Sequence, residues 1–362
     1  MIEGNIRDAY NKELYTDFSE KLKSVYPAFD SKSFIMEVFC PEWEEMELYR
    51  RIRHSAAVLD KFLPVDYTTA VGIIEKVLPL LTNAQWPAAS IFPEYIAIRG
   101  LDDLDISEKV MHIVTRYASC EFAVRPFIEK YGHEMIDRMI VWTDSECEHV
   151  RRLASEGTRI SVPCGIKLRF VEDNPDAVLP LLNKLMDDPS EYVRRSVANN
   201  LNEMSKSAKM LMLDFCGKWL GKSIETDKLI KHAVRTLLKN GDAEAMAMFG
   251  MTKPAQISII NFECDDSANI GGSLCFSFVI VNDSGNPQKL RIGYDLGLPG
   301  ASGKMNIGKV RISERLCPPG KTIIQRKHPM QNTSTRTLRP GAGIVKITIN
   351  GENMAEARFI LK

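Results

Sequence analysis

Four Val-Arg pairs recur through the middle of the chain, and their spacing constrains the fold more than any other sequence feature. The last three pairs occur in the similar settings EHVRRLA, EYVRRSV and KHAVRTLL. Arg151 and Arg194 are 43 positions apart, and Arg194 and Arg235 are 41 apart. This is the period of HEAT or armadillo helical hairpins, about 40–47 residues, which stack into a curved array. The period therefore predicts an α-solenoid with an arginine row that suits a polyanion.

The texture of the sequence changes near Thr252-Lys253-Pro254. Before this point, apolar residues recur at helical spacing between turn signals. After it, seven short segments alternate apolar and polar residues, as half-buried strands do, and Asn350-Gly351 is a two-residue hairpin signal. The predicted fold class is multidomain, α then β: a helical HEAT-like-repeat solenoid over residues 1–252, followed by an immunoglobulin-like β-sandwich over residues 253–362.

Composition narrows the function classes. The chain is 44% hydrophobic and 26% charged, which is ordinary for a soluble globular protein. It has no apolar run of membrane-spanning length, and its N-terminus lacks the features of a signal peptide. The eight cysteines form no CxxC pair, which favours reduced thiols in a cytoplasmic protein. Because phosphate-loop, dinucleotide and zinc-ligand patterns are also missing, we expect no cofactor and no metal.

The net charge of zero conceals a gradient along the chain. Residues 1–109 carry 12 basic and 19 acidic side chains, a net charge of −7, whereas residues 251–362 carry 15 basic and 8 acidic, a net charge of +7. The basic C-terminal module could approach a polyanion. A small basic domain that is merely soluble would show the same charge.

Three adjacent repeats each carry a carboxylate near the arginine row. On a helix, Arg152, Glu156 and Arg159 line one face at i, i+4 and i+7, and the next repeat places Arg195, Asn199, Asn202 and Glu203 on the corresponding stripe. Glu121 precedes the first Val-Arg pair in the repeat before. Taken alone, this pattern favours solvated salt bridges worth only about 0.3–0.5 kcal/mol each.

Several ordered blocks resemble the AlkC-type family of DNA alkylation repair proteins, within the AlkC/AlkD superfamily. The blocks are SCEFAVRPF from Ser119, EHVRRLASEGTR from Glu148, YVRRSVANNLN from Tyr192 and KHAVRTLLK from Lys231. The resemblance runs through most of residues 10–250. It implies a HEAT-like-repeat DNA glycosylase that excises bases alkylated on a ring nitrogen, such as 3-methyladenine. Some members of the family carry an immunoglobulin-like domain.

The resemblance also implies site residues. Acidic residues in these blocks line the lesion site in the family, which predicts catalytic roles for Glu121, Glu156 and Glu203. The arginine row and its neighbours are the expected DNA-binding residues: Arg125, Arg151, Arg152, Arg159, Arg194, Arg195, Asn199, Asn200, Lys231 and Arg235. Two positions depart from the family pattern. Cys164 stands where the family tends to have Trp, and Glu203 stands where Asp is frequent.

The chemistry of such lesions suits this residue set. A base methylated at N3 is cationic and leaves readily, through a sugar that resembles an oxocarbenium ion. Carboxylates could stabilise that sugar and position water. We therefore expect a monomeric, monofunctional glycosylase of base excision repair, located with the nucleoid, whose partner is double-stranded DNA containing alkylated bases and not a membrane. The alternatives are a non-catalytic HEAT scaffold and a lesion-binding protein without activity.

Overall fold

The computed structural model describes residues 6–82, 85–301, 303–333 and 336–362, and it divides the chain into two compact units. The first unit runs to Ala233 and the second from Val234 to Lys362. The α-helices are α1 Lys12–Val25, α2 Ser31–Val38, α3 Leu48–Phe62, α4 Tyr67–Val77, α5 Trp86–Ala89, α6 Ile91–Arg99, α7 Leu104–Val114, α8 Val124–Tyr131, α9 His133–Trp142, α10 Glu148–Gly157, α11 Arg169–Asp173, α12 Leu179–Leu185, α13 Glu191–Met204, α14 Lys209–Gly217, α15 Ile224–Ala233, α16 Arg235–Asn240 and α17 Ala243–Ala247.

The strands follow the helices, as predicted. They are β1 Ile257–Cys264, β2 Ser267–Ala268, β3 Ser273–Asn282, β4 Gln288–Pro299, β5 Met305–Cys317, β6 Gly320–Pro329, β7 Gly341–Ile349 and β8 Glu352–Leu361. The α-then-β fold class is therefore confirmed. The boundary predicted at 252/253 falls between the last helix and the first strand, whereas the division by contacts places α16 and α17 with the strands.

Stacked repeats build the first unit. Helix α10 packs on α13, and α13 packs on α15. The valines of the Val-Arg pairs are packing anchors, since Val150 and Val193 are buried. Gly157, the last residue of α10, lies so close to Val124 that a side chain would not fit: a Cβ there would be 2.5 Å from Cγ1 of Val124. The predicted HEAT-like stacking of amphipathic helices thus accounts for the core of this unit.

Two arginines of the Val-Arg pairs join consecutive repeats. Arg151 donates through Nη1 to the carbonyls of Ser145 and Glu146 at 2.9 and 3.0 Å, which lie six and five residues earlier, respectively. Arg194 uses Nη1 in the same way, on the carbonyls five and six residues before it. The guanidinium of Arg151 also forms a two-point ion pair with the buried carboxylate of Asp188, at 2.7 and 3.0 Å. These side chains cap one loop and tie it to the next repeat, so their sequence period records the fold.

Two sheets form the strand-rich part of the second unit. The order is β1-β3-β6 in one sheet and β2-β8-β7-β4-β5 in the other, with antiparallel pairing throughout except between β2 and β8. Alternate residues of the strands face a shared apolar core, including Phe278, Ile292 and Ile347. The predicted Asn350-Gly351 hairpin joins β7 to β8, and both residues adopt the positive φ that such a turn requires, 45° and 83°.

Among the described residues, no helix is both long enough and apolar enough to cross a membrane, and no three metal-binding side chains cluster together.

Candidate active site

The predicted stripe of α10 is present, and it is largely buried. Arg152 and Glu156 lie on the helix and Arg159 lies just after it, so the i, i+4, i+7 spacing places all three side chains on one face. The guanidinium groups of both arginines reach the same oxygen of Glu156. Arg159 Nη1 donates to Oε1 in a short ion-paired hydrogen bond, and Arg152 Nη2 lies 3.7 Å from it. The side chain of Glu156 is only 7% exposed, so this is not the solvated face that the pattern alone favours.

The neighbouring repeat holds the other oxygen of Glu156. Ser196, a buried residue of α13, donates from Oγ to Glu156 Oε2 at 2.7 Å. The Oγ atoms of Ser196 and Ser155 are 3.1 Å apart. Both oxygens of the Glu156 carboxylate are therefore engaged by protein donors, one within its own repeat and one from the next.

Glu121 joins the stripe from the turn that precedes α8. Its Oε2 lies 2.5 Å from Arg152 Nη1 and accepts a hydrogen bond from Ser119 Oγ at 2.8 Å. The face of Arg152 also rests on the Tyr192 ring, with 5.2 Å between Cζ and the ring centroid. Two carboxylates and an aromatic ring thus hold Arg152. The cation–π contact with the ring fixes the plane of its guanidinium group.

Glu203 completes the set from the last turn of α13. Its Oε1 is 3.9 Å from Arg159 Nη2, and its Oε2 accepts from Lys206 Nζ at 2.7 Å. The structure therefore connects the three predicted carboxylates in one line, Glu121–Arg152–Glu156–Arg159–Glu203, which we call the carboxylate row. The five side chains of the row carry a net charge of −1 and are each less than one-fifth exposed, while Lys206, which pairs with Glu203, adds a positive charge on a side chain that is more than half exposed.

The row can therefore receive a positive charge at low cost. In a largely desolvated site, charges interact more strongly than in water, because the effective dielectric constant is lower. The arginines hold the carboxylates in place, and the excess negative charge of the row remains available to an incoming cation. Such fixed charges need no reorganisation when a cation forms nearby.

Arg125 is a correction to the predicted DNA-binding set. Its side chain is fully buried, and its guanidinium donates to four main-chain carbonyls, those of Gly157, Arg159, Ile160 and Ile166, at 2.7–3.3 Å. Burial, followed by the charge of Arg159, lowers the pKa of Arg125 to about 10, so it stays protonated at neutral pH. Arg125 holds the loop after α10 and cannot contact a phosphate in this structure.

Asn200 is a second correction. It is 1% exposed, and its amide donates to the carbonyl of Ser155 at 2.8 Å and to Thr158 Oγ1 at 2.9 Å. It therefore locks α13 to the end of α10 and does not face DNA. Arg151 and Arg194 are engaged by protein oxygens, and their contact with DNA stays a prediction.

The remaining DNA-binding candidates lie nearer to solvent. Arg195 has a side chain that is 70% exposed, and Asn199 is half-buried with its Oδ1 3.1 Å from His232 Nε2. Both line a groove of about 560 Å³ between α13 and α15, together with Lys228. Lys231 on α15 and Arg235 at the start of α16 are half-buried.

Sequence reasoning missed three participants: Ser196, Tyr192 and Ser119. Ser196 interrupts an apolar face with a hydroxyl at the position equivalent to Leu153 in the previous repeat. That polar break in the repeat alignment was the available signal. The contacts of Tyr192 and Ser119 depend on how neighbouring repeats stack, which the spacing does not encode.

Comparisons with known proteins match both the helical and the strand-rich parts of the chain. The model of the DNA alkylation repair enzyme family matches residues 100–244. The model described as the C-terminal Ig-like domain of the uncharacterised protein YhaZ matches residues 259–362. The uncharacterized protein YhaZ of Bacillus subtilis (strain 168) is 35% identical over 350 residues, which are 96% of this chain and 97% of that protein.

A solved structure is similar over nearly the whole chain. It is the alkylpurine DNA glycosylase AlkC of Pseudomonas fluorescens, bound to DNA containing an abasic site analog. The two chains are 28% identical, with a TM-score of 0.92 that covers 99% of this chain and 100% of that one. The likeness therefore includes both the helical and the strand-rich units.

Proposed function

We infer that this chain, which belongs to the DNA alkylation repair enzyme family and carries a YhaZ-type C-terminal Ig-like domain, is an alkylpurine DNA glycosylase. We propose further that it removes cationic N-alkylated bases such as 3-methyladenine from double-stranded DNA. The observation that carries the proposal is the carboxylate row, in which Glu121, Glu156 and Glu203 from three repeats are joined through Arg152 and Arg159.

The row matches the demands of this reaction. A cationic base leaves as a neutral molecule, so no strong acid is needed to protonate it. The deoxyribose then carries positive charge, as in glycoside cleavage, and negative charge near C1′ lowers the barrier. A net charge of −1 on a largely buried row supplies this stabilisation.

The contacts divide the roles of the carboxylates. Glu156 has both oxygens bonded to protein donors and sits in the middle of the row, so it acts as the electrostatic stabiliser of the cationic sugar. Oε1 of Glu203 lies 3.9 Å from Arg159 Nη2, beyond hydrogen-bond distance, and can accept a hydrogen bond from water. We assign Glu203, with Glu121 opposite, to orienting the water that attacks C1′.

The groove between α13 and α15 provides sites for the DNA backbone. Arg195 and Lys228 are each more than two-thirds exposed and lie beside Asn199 and His232. Each phosphate that such a cation neutralises releases counterions, so binding should weaken steeply with salt.

The direct experiment is to incubate the full chain with DNA treated with a methylating agent and to identify the released bases by chromatography. We expect 3-methyladenine to appear faster than it does without protein, and the strand to stay unbroken at the abasic site. A chain that binds methylated DNA but releases no base above the spontaneous rate would overturn the glycosylase assignment.

A further inference from the structure

A second polar cluster lies next to the carboxylate row. Tyr49, the second residue of α3, donates a short hydrogen bond from its hydroxyl to Glu94 Oε1 on α6. Its ring meets the Phe122 ring nearly edge-on, at 80° with 5.4 Å between centroids. Phe122 follows Glu121 directly in the chain. The cluster therefore begins where the row ends.

Glu94 is unusual among the buried groups. It is 6% exposed, yet among the residues that the structure describes no lysine, arginine or histidine lies within ion-pair distance of its carboxylate. Burial of a carboxyl group is costly unless its oxygens have hydrogen-bonding or charged partners. The Tyr49 hydroxyl engages one of the two oxygens, Oε1. The arrangement suits a site where a cation arrives with the ligand.

Tyr49 provides an electron-rich surface in front of that carboxylate. Burial, and then the hydrogen bond to Glu94, raises the pKa of Tyr49 well above its usual value, so the side chain stays neutral and its hydroxyl donates. Tyr49 and Phe122 are half-buried, so the cluster reaches the surface. The faces of such rings attract cations.

We propose that Tyr49, Phe122 and Glu94 form a subsite that binds the positively charged ring of the alkylated base and distinguishes it from a neutral base. This inference rests on the proposed glycosylase function. The carboxylate row then meets the sugar, while the subsite meets the base.

Two duplexes of the same shape test the proposal by equilibrium binding to the full chain. One carries a single 7-methylguanine, which is cationic, and the other carries 7-deaza-7-methylguanine, which is neutral and keeps the methyl group. Binding is measured before base loss is detectable. We expect the wild-type chain to prefer the cationic duplex. Tyr49→Leu and Glu94→Gln should each reduce that preference about three- to tenfold, the range of a partly desolvated cation–π contact.

Tyr49→Phe is the matched control, because it keeps the ring and removes only the hydroxyl. It should keep more of the preference than Tyr49→Leu does. Affinity for an undamaged duplex and the unfolding temperature verify that each variant folds. If Tyr49→Leu does not fold, Glu94→Gln decides, since it keeps the size and the hydrogen-bonding capacity of the side chain.

The proposal is overturned if the wild-type chain has no preference for the cationic duplex, or if the preference survives in the folded variants. Failure of the proposed function has a different signature. If the chain releases base from methylated DNA but shows no charge preference, the subsite is refuted and the glycosylase function stands. If Glu94→Gln reduces a charge preference but the wild-type chain releases no base, the subsite stands and the glycosylase function is refuted.

Discussion

Replacing Arg125 with lysine should destabilise the helical unit severely, although the charge is kept. Arg125 spans four buried carbonyls on different sides of its guanidinium plane, with Nε on Ile166, Nη1 on Gly157 and Arg159, and Nη2 on Ile160. A lysine has a single nitrogen, which cannot reach across that set, so at least two carbonyls lose their donor. At about 1.5–3 kcal/mol for each hydrogen bond to a charged group, the loss is about 3–6 kcal/mol.

Urea unfolding followed by tryptophan fluorescence measures this loss. Because a domain is stable by only about 5–15 kcal/mol, the Arg125→Lys midpoint should fall markedly. Arg195→Lys is the matched control, since that side chain is 70% exposed and should change stability by less than about 0.5 kcal/mol. An Arg125→Lys chain within about 1 kcal/mol of wild type would refute the structural role assigned to Arg125.

Three further predictions concern catalysis, DNA binding and pH. Ser196→Ala removes the 2.7 Å hydrogen bond to Glu156 and should slow base release about tenfold in single-turnover assays. The affinity for undamaged DNA should not change. An unchanged rate would show that Ser196 does not position Glu156. Replacing both Arg195 and Lys228 with alanine should lower the slope of log affinity against log salt by about 2, and an unaltered slope would exclude phosphate contacts there. Burial, and then a nearby arginine, lowers the pKa of His328 in the folded chain. The unfolded chain therefore takes up a proton at a higher pH than the folded chain does. The free energy of unfolding should then decline as pH falls below about 6.5. His328→Gln should flatten that decline in urea midpoints measured from pH 7 to 5, and equal slopes in both chains would contradict this.

The sequence determined the architecture better than the function of single side chains. The Val-Arg period predicted the stacked helices, because valine burial must recur once in each repeat. Helical spacing also predicted that Arg152, Glu156 and Arg159 share a face. What spacing did not show is that the face is buried, since burial depends on α13 closing over α10.

The errors have a common physical cause. Arg125 and Asn200 are residue types that often contact nucleic acids, but both donate hydrogen bonds to main-chain carbonyls around the end of α10. A sequence pattern cannot show which polar side chains the end of a helix will require for its unpaired carbonyls. The Tyr49–Glu94 pair was equally hidden, because its members are 45 residues apart and follow no repeat.

The role of Glu156 in base release is tested most sharply by the single-turnover rate of 3-methyladenine release, measured for the wild-type chain and for Glu156→Gln. The substitution keeps the size of the side chain and removes one negative charge. For a sugar cation about 5 Å away at an effective dielectric constant near 20, that charge contributes about 3 kcal/mol, or roughly two orders of magnitude in rate. Because Glu156 stabilises the sugar cation and not the DNA contact, we expect Glu156→Gln to bind methylated DNA as wild type does and to release base about a hundredfold more slowly. Equal rates in the two chains would contradict it.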